Sequence, residues 1–138
     1  MKMTKKQVFK AIATEPYLEP GAFLQLGSNE NGFSLKENCS MCAVGTILTK
    51  AYIKKTGYKS KYYSTGLHEH IADVAEDVTD GLYQNFTVEQ AYASGNPFSI
   101  LSCEFESAIF AENTEDNLRM HALMIVEGFF PEVVEVPI

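Results

Sequence analysis

Apolar residues first fall into register at Val8, Phe9 and Ile12, which share one face of a helix. Thr4-Lys5-Lys6-Gln7 precedes them in capping-box form, with Thr4 placed to accept from the backbone N–H three residues on and Gln7 to reach back. The spacing predicts a short amphipathic helix over 5–14, ended by Pro16 and the Pro20-Gly21 pair. Ala22 to Leu26 reads as a short strand, followed by a Gly- and Asn-containing loop over 27–32. From Asn38 to about Lys55 the period is helical, yet Met41 to Ile53 is apolar on nearly every face. Met41, Val44, Leu48 and Tyr52 form one stripe, widened by Cys42, Ala43, Thr46 and Ile47. A helix apolar on most sides belongs in the middle of a core. Gly45 inside it costs about 1 kcal/mol of helix propensity relative to alanine, so a close crossing by another element is expected there. Gly57 stands where a C-cap is expected.

Residues 58–66 read as a loop. His68 to Thr79 is predicted helical, with Ile71, Val74, Ala75 and Val78 inward and Asp80-Gly81 as the stop. Thr87-Val88-Glu89-Gln90 repeats the capping form and opens a short helix to Ala93. Asn96-Pro97 gives an N-cap and a proline at the first helical position, and Phe98, Leu101, Phe105, Ala108 and Ile109 carry that helix to Phe110. Asn113-Thr114-Glu115-Asp116 sets acids in the first turn of a last helix, whose face runs through Leu118, Ala122, Ile125 and Phe129 to Pro131. The tail, 132–136, reads as a strand. The expected fold is mostly α: a single compact helical domain over 1–138, with a central buried helix at about 38–55 and one short two-stranded β element.

Composition narrows the class. The chain has 138 residues, of which 46% are hydrophobic and 21% charged, a globular balance that excludes a disordered chain. No apolar run reaches the ~18 residues of a membrane helix, and the start lacks the apolar region of a signal peptide. Three cysteines, without framework spacing, point to reduced thiols and a cytoplasmic location.

Net charge is −7, but its layout says more. Residues 1–66 carry ten Lys and four acids, whereas 67–138 carry Arg119 alone against fourteen acids. The two poles either neutralise each other in the fold or form interaction surfaces. Glu69, Asp73, Glu76, Asp77 and Asp80 follow helical spacing and would form an outer face that repels nucleic acid and attracts a basic protein partner. Glu104, Glu106, Glu112, Glu115 and Asp116 make a second cluster. On the basic side, Lys50, Lys54, Lys55, Tyr58, Lys59, Lys61 and Tyr62 interleave lysine with aromatic rings. Lysine neutralises phosphate and tyrosine stacks a base, which suits a nucleotide or single-stranded nucleic acid.

The cysteines offer two chemistries beside a plain structural one. Cys39 and Cys42, in C-x-x-C spacing, together with His68 and His70, supply four zinc ligands on paper. However, these cysteines open a hydrophobic helix instead of a knuckle, so no metal and no cofactor are expected. Alternatively, Cys42 near a helix start could be an activated thiol, with His121 presented by a strand over 121–126 and Asn38 or Asn113 as orienter. The reading preferred is that Cys42 and Cys103 are buried small hydrophobes, with Cys39 partly exposed at the helix start.

Cys42-Ala43-Val44-Gly45-Thr46-Ile47-Leu48 resembles the C-A-[VIL]-G-[AH]-[IL] helix of small uncharacterised phage and prophage proteins, departing from it at Thr46. Leu101-Ser102-Cys103-Glu104-Phe105-Glu106, following Pro97, is similar to their L-S-x-x-F-E segment, and Phe130-Pro131 to their final F-P. The resemblance supplies no catalytic residue or ligand. It implies a mobile-element origin, hence the host cytoplasm and partners among host or defence components. The expectation is a non-enzymatic binding protein acting through the acidic face, with nucleotide or nucleic-acid binding as the alternative and a cysteine hydrolase third. A homo-oligomer is compatible with the sequence.

Overall fold

The computed structural model describes residues 1–27, 31–81, 87–107 and 114–138. Each helix start read from the sequence by a capping motif has its cap. Thr4 Oγ1 accepts from Gln7 N at 3.1 Å and Gln7 Oε1 from Thr4 N at 2.9 Å, opening α1 (Lys5–Thr14). The same reciprocal pair joins Thr87 and Gln90 ahead of α4 (Val88–Ser94). Asn96 Oδ1 accepts from Phe98 N at 3.0 Å at the head of α5 (Pro97–Ser107). Thr114 caps α6 (Glu115–Phe129), with Glu115 and Asp116 in its first turn. The α5 positions beyond Ser107, together with Glu112 and Asn113, lie outside the described residues.

The central helix is α2 (Ala43–Thr56), followed by α3 (Thr65–Val78). The mostly helical architecture is therefore as the hydrophobic periodicity predicts. Two short antiparallel ladders accompany it: β1 (Lys2–Thr4) pairs with β4 (Val133–Glu135), and β2 (Phe33–Leu35) with β3 (Tyr62–Ser64). In the second, Tyr62–Ser64 lies in the segment that reads as a loop, and Phe33–Leu35 in a stretch to which the sequence pattern assigns no element. Each of its strands has three residues with only the middle one buried, too short a run for alternation to register.

α2 begins at Ala43 and not at Asn38, because the preceding backbone groups are already engaged. Lys36–Asn38 form one 3-10 turn. Ser40 then exchanges backbone hydrogen bonds with Gln25 at 2.8 and 3.0 Å, Met41 N donates to Tyr17 O, and Cys42 N donates to Ala22 O at 3.0 Å. Residues 39–42 are thus extended, and Cys39 is buried, not partly exposed. The strand expected over 22–26 reduces to the single bridge at Gln25. α3 starts earlier than His68 because Ser64 Oγ accepts from Leu67 N at 3.0 Å.

Ala43 to Thr49 are all buried, and Val44, Ile47, Leu48 and Ala51 are fully so. α1, α3 and α5 pack around this helix, while α6 lies against α1 and α5. The buried apolar side chains form one contiguous cluster that runs from Met3 and Val8 through α2 to Val126 and Val136. Gly57, at φ +69°, ends α2 in the left-handed region as its position implied. The tightest crossing is at Gly45, where a Cβ would lie 1.6 Å from Phe23 O and 2.4 Å from its carbonyl carbon. Only hydrogen fits there.

Gly45→Ala must therefore move the 21–25 backbone off α2. It is expected to cost about 3 kcal/mol or more, the upper end of the overpacking range, measured by denaturant unfolding. Gly128 also sits within a helix, but a Cβ there meets nothing within 4 Å. Gly128→Ala is expected to stabilise by about 0.5–1 kcal/mol. Equal effects of the two substitutions would mean that Phe23 does not cross α2 at Gly45.

Candidate functional site

The segment over 21–25 touches three helices and builds a pocket against them. Ala22 O accepts from Cys42 N at the head of α2. Leu24 O is bonded to His68 Nδ1 on α3, and Gly21 N donates to Glu106 Oε1 on α5 at 3.1 Å. Between these anchors lies a pocket of about 370 Å³, lined by Ala22, Phe23, Leu24 and Ala72 and by the polar groups of Cys42, His68, Ser102 and Glu106. Its size is at the low end of the ~300–1,000 Å³ typical of small-molecule sites.

Cys42 is the N-cap of α2, and its Sγ accepts from Gly45 N at 3.4 Å. A thiol so placed gains from the helix N-terminus, but burial opposes this and wins. Desolvation pushes the thiol up to about 12, offset in part by the Gly45 N–H and reinforced by the Glu106 carboxylate. At neutral pH it is a protonated cap and a core side chain. Burial also raises Cys39 and Cys103, the latter half-buried and not buried as the sequence reading expects.

The alternative pair Cys42 and His121 does not form. Residues 115–129 are helix and not strand, and His121 Nε2 lies 3.0 Å from Glu104 Oε2. The imidazole on the Cys42 pocket is that of His68. Asn38, the other suggested orienter, ends the 3-10 turn on the exposed surface. Nor do Cys39, Cys42, His68 and His70 gather. Among the described residues no group of three or more His, Cys, Asp or Glu is arranged to hold a metal ion, and His70 packs edge-on against Tyr52.

The lysine–tyrosine segment divides. Lys50 turns inward, its Nζ 3.3 Å from Oε2 of the buried Glu15, an ionic contact not aligned as a hydrogen bond. Lys54 and Lys59 are exposed, Lys55 reaches Ile138 O, Tyr58 OH donates to Tyr62 O, and Lys61 lies over the Tyr62 ring. Lys36, which no pattern singled out, sits over the Tyr58 and Tyr63 rings at 5.4 and 5.0 Å. Lys36, Lys50 and Lys61 meet in a second cleft of about 540 Å³, with Glu15, Glu37 and Tyr63 also on its wall. Burial, and then the Lys50 charge, lowers Lys36.

On α3, Glu69, Asp73, Glu76 and Asp77 are exposed, and no described cation reaches any of them. Asp80 accepts from Asn96 Nδ2 at 3.1 Å. In the second acidic cluster, Glu104, Glu106 and Glu115 have partners within the chain, whereas Asp116 is exposed and Glu112 lies outside the described residues. Glu104 accepts from Tyr92 OH at 2.7 Å and meets His121, Glu115 pairs with Arg119, and Glu106 takes the Gly21 N–H. Between the two halves the N-terminal ammonium pairs with Glu135 at 3.1 Å, and among the described residues no lysine of the first half pairs with an acid of the second. No helix there is long and apolar enough to cross a membrane. No family model, curated protein or solved structure matches the chain.

Alkylation of the native protein is expected to modify Cys103 first, with Cys42 labelled only on unfolding; rapid labelling of native Cys42 would contradict its assignment as a protonated cap. The same burial sets a pH slope. Unfolded, a cysteine thiol gives up its proton near pH ~8.5; folded, Cys42 holds its proton to about 12. Between these values the unfolded state binds fewer protons, so stability falls with rising pH, by up to ~1.4 kcal/mol per unit from this group. Cys42→Ala is expected to flatten that part of the stability–pH curve.

Proposed function

We propose that the chain is a non-enzymatic binding protein that docks a basic protein surface with the outer face of α3. The observation that carries this reading is the row Glu69, Asp73, Glu76 and Asp77, exposed and without a cation partner among the described residues. Glu69–Asp73 and Asp73–Asp77 are like-charge pairs at i,i+4, and each weakens the helix by about 0.2–0.5 kcal/mol. A basic partner removes that repulsion on docking, adds attraction, and speeds encounter. A surface evolved to bind nucleic acid presents such basic charge, and this helix face offers it a protein substitute for phosphate. The resemblance to phage proteins directs the choice of partner to host or defence proteins of the cytoplasm.

A second reading rests on Lys36, Lys50 and Lys61 meeting in one cleft. The repulsion between Lys36 and Lys50 is relieved by an anion, and Tyr63 supplies a ring beside it, so a nucleotide phosphate is the ligand class. Saturable binding of AMP, weakened by Lys36→Ala and Lys61→Ala, is the expected result; its absence at low salt removes this reading.

For the leading reading, the immobilised chain is exposed to bacterial lysate alongside a variant carrying Glu69→Gln, Asp73→Asn, Glu76→Gln and Asp77→Asn. Wild type is expected to retain a basic protein that salt elutes, and the variant to lose it. Equal retention by both, or recovery of no basic protein, would overturn the assignment.

A further inference from the structure

The pocket between the 21–25 segment, α3 and α5 has a one-sided hydrogen-bonding character. His68 Nδ1 faces the Leu24 carbonyl, which can only accept, so in the neutral ring Nδ1 carries the proton and Nε2 is left as an acceptor. Glu106 uses one oxygen on Gly21 N, and its other oxygen has no partner among the described residues. Ser102, on α5, is 5% exposed and its hydroxyl is likewise without a described partner. Cys42 Sγ accepts from Gly45 N, and its S–H is only a weak donor. No lysine or arginine is among the described residues that line the pocket. The half-buried Glu106 carboxylate thus has a single backbone N–H and no counter-charge, and its burial raises it. Desolvating a carboxylate without a cation is unfavourable, and the deficit points to a ligand that supplies one.

We propose that this pocket binds a compact organic ammonium, a primary amine on an apolar body. The three N–H donors of an ammonium match three open acceptors: the second Glu106 oxygen, His68 Nε2 and the Ser102 hydroxyl. Ala22, Phe23, Leu24 and Ala72 provide the walls for the apolar part. A carboxylate or phosphate ligand would face Glu106 with no cation to meet it. A metal ion is disfavoured because no group of three or more His, Cys, Asp or Glu among the described residues is arranged to hold one. The site is separate from the acidic face, although α3 carries both: His68 and Ala72 line the pocket while Glu69, Asp73, Glu76 and Asp77 face solvent. The amine site therefore does not rest on the docking of a protein at that face.

The test uses the full chain with phenethylamine, 2-phenylethanol and phenylacetate, which share a ring and a short arm but carry an ammonium, a hydroxyl and a carboxylate. Binding is followed by calorimetry and ligand-observed NMR. Phenethylamine is expected to bind saturably, the alcohol at least about tenfold more weakly, as for loss of one charged hydrogen bond, and phenylacetate not at all. Glu106→Gln keeps the acceptor for Gly21 N but removes the charge, and is expected to weaken the amine by about tenfold or more. Ala72→Met fills the pocket without touching its charge and is expected to abolish binding. Circular dichroism and thermal unfolding establish that each variant is folded, and if Ala72→Met fails to fold, Glu106→Gln alone decides. The proposal is overturned if phenethylamine shows no saturable binding, if phenylacetate binds as well as the amine, or if amine affinity survives Glu106→Gln unchanged.

Discussion

The carbonyl of Phe23 lies against the first turn of α2 at the one residue without a Cβ, Gly45. From that contact the rest of the arrangement follows. With the 21–25 backbone pressed onto α2, Ala22 O meets Cys42 N, Gln25 pairs with Ser40, Leu24 O meets His68, and Gly21 N meets Glu106. A single irregular stretch thereby ties α2, α3 and α5 together and uses backbone groups that a helix starting at Asn38 would have needed. It also leaves room for the pocket, since the stretch bridges the helices and does not fill the space between them.

Helix α3 is held from inside by Leu67, Ile71, Val74 and Ala75 and at its first turns by His68. Its opposite face therefore points to solvent, with the carboxylates at the spacing the inward residues dictate. The lysines of the first half are occupied elsewhere or are exposed: Lys50 meets Glu15, Lys36 lies over two tyrosine rings, and Lys55 reaches Ile138 O. Among the described residues none of these lysines pairs with an acid of the second half. What distinguishes the α3 carboxylates from those of Glu104 and Glu115 is the lack of a partner among the described residues, and that difference makes α3 the candidate for an external one.

Much of this was legible in the chain. Capping boxes at Thr4 and Thr87, the Asn96-Pro97 start, the all-round apolar run of α2 and the Gly45 crossing depend on local spacing, which a sequence displays directly. The site was less legible. Cys42 and His121, with Asn38 or Asn113 as orienter, form a candidate constellation in the sequence, but helix α6 turns His121 toward Glu104, while His68 reaches the Cys42 pocket through a hydrogen bond to Leu24, 44 residues away in sequence. Glu106 counted only as one of several acids, and nothing in a linear reading sets it apart from Glu104. Lys36 likewise gains its place by pairing of two three-residue strands, which carry no periodic signal. Long-range backbone contacts decided these positions, and they leave little local trace.

Whether the charge poles are truly unneutralised is open to direct measurement through the salt dependence of stability. Raising ionic strength from about 0.01 M to about 0.1 M shortens the Debye length from ~30 to ~10 Å. If the α3 carboxylates repel one another without intrachain cations, screening removes a destabilising term, and thermal stability must rise over that range. If instead the acidic and basic halves hold each other together, screening weakens an attraction, and stability must fall.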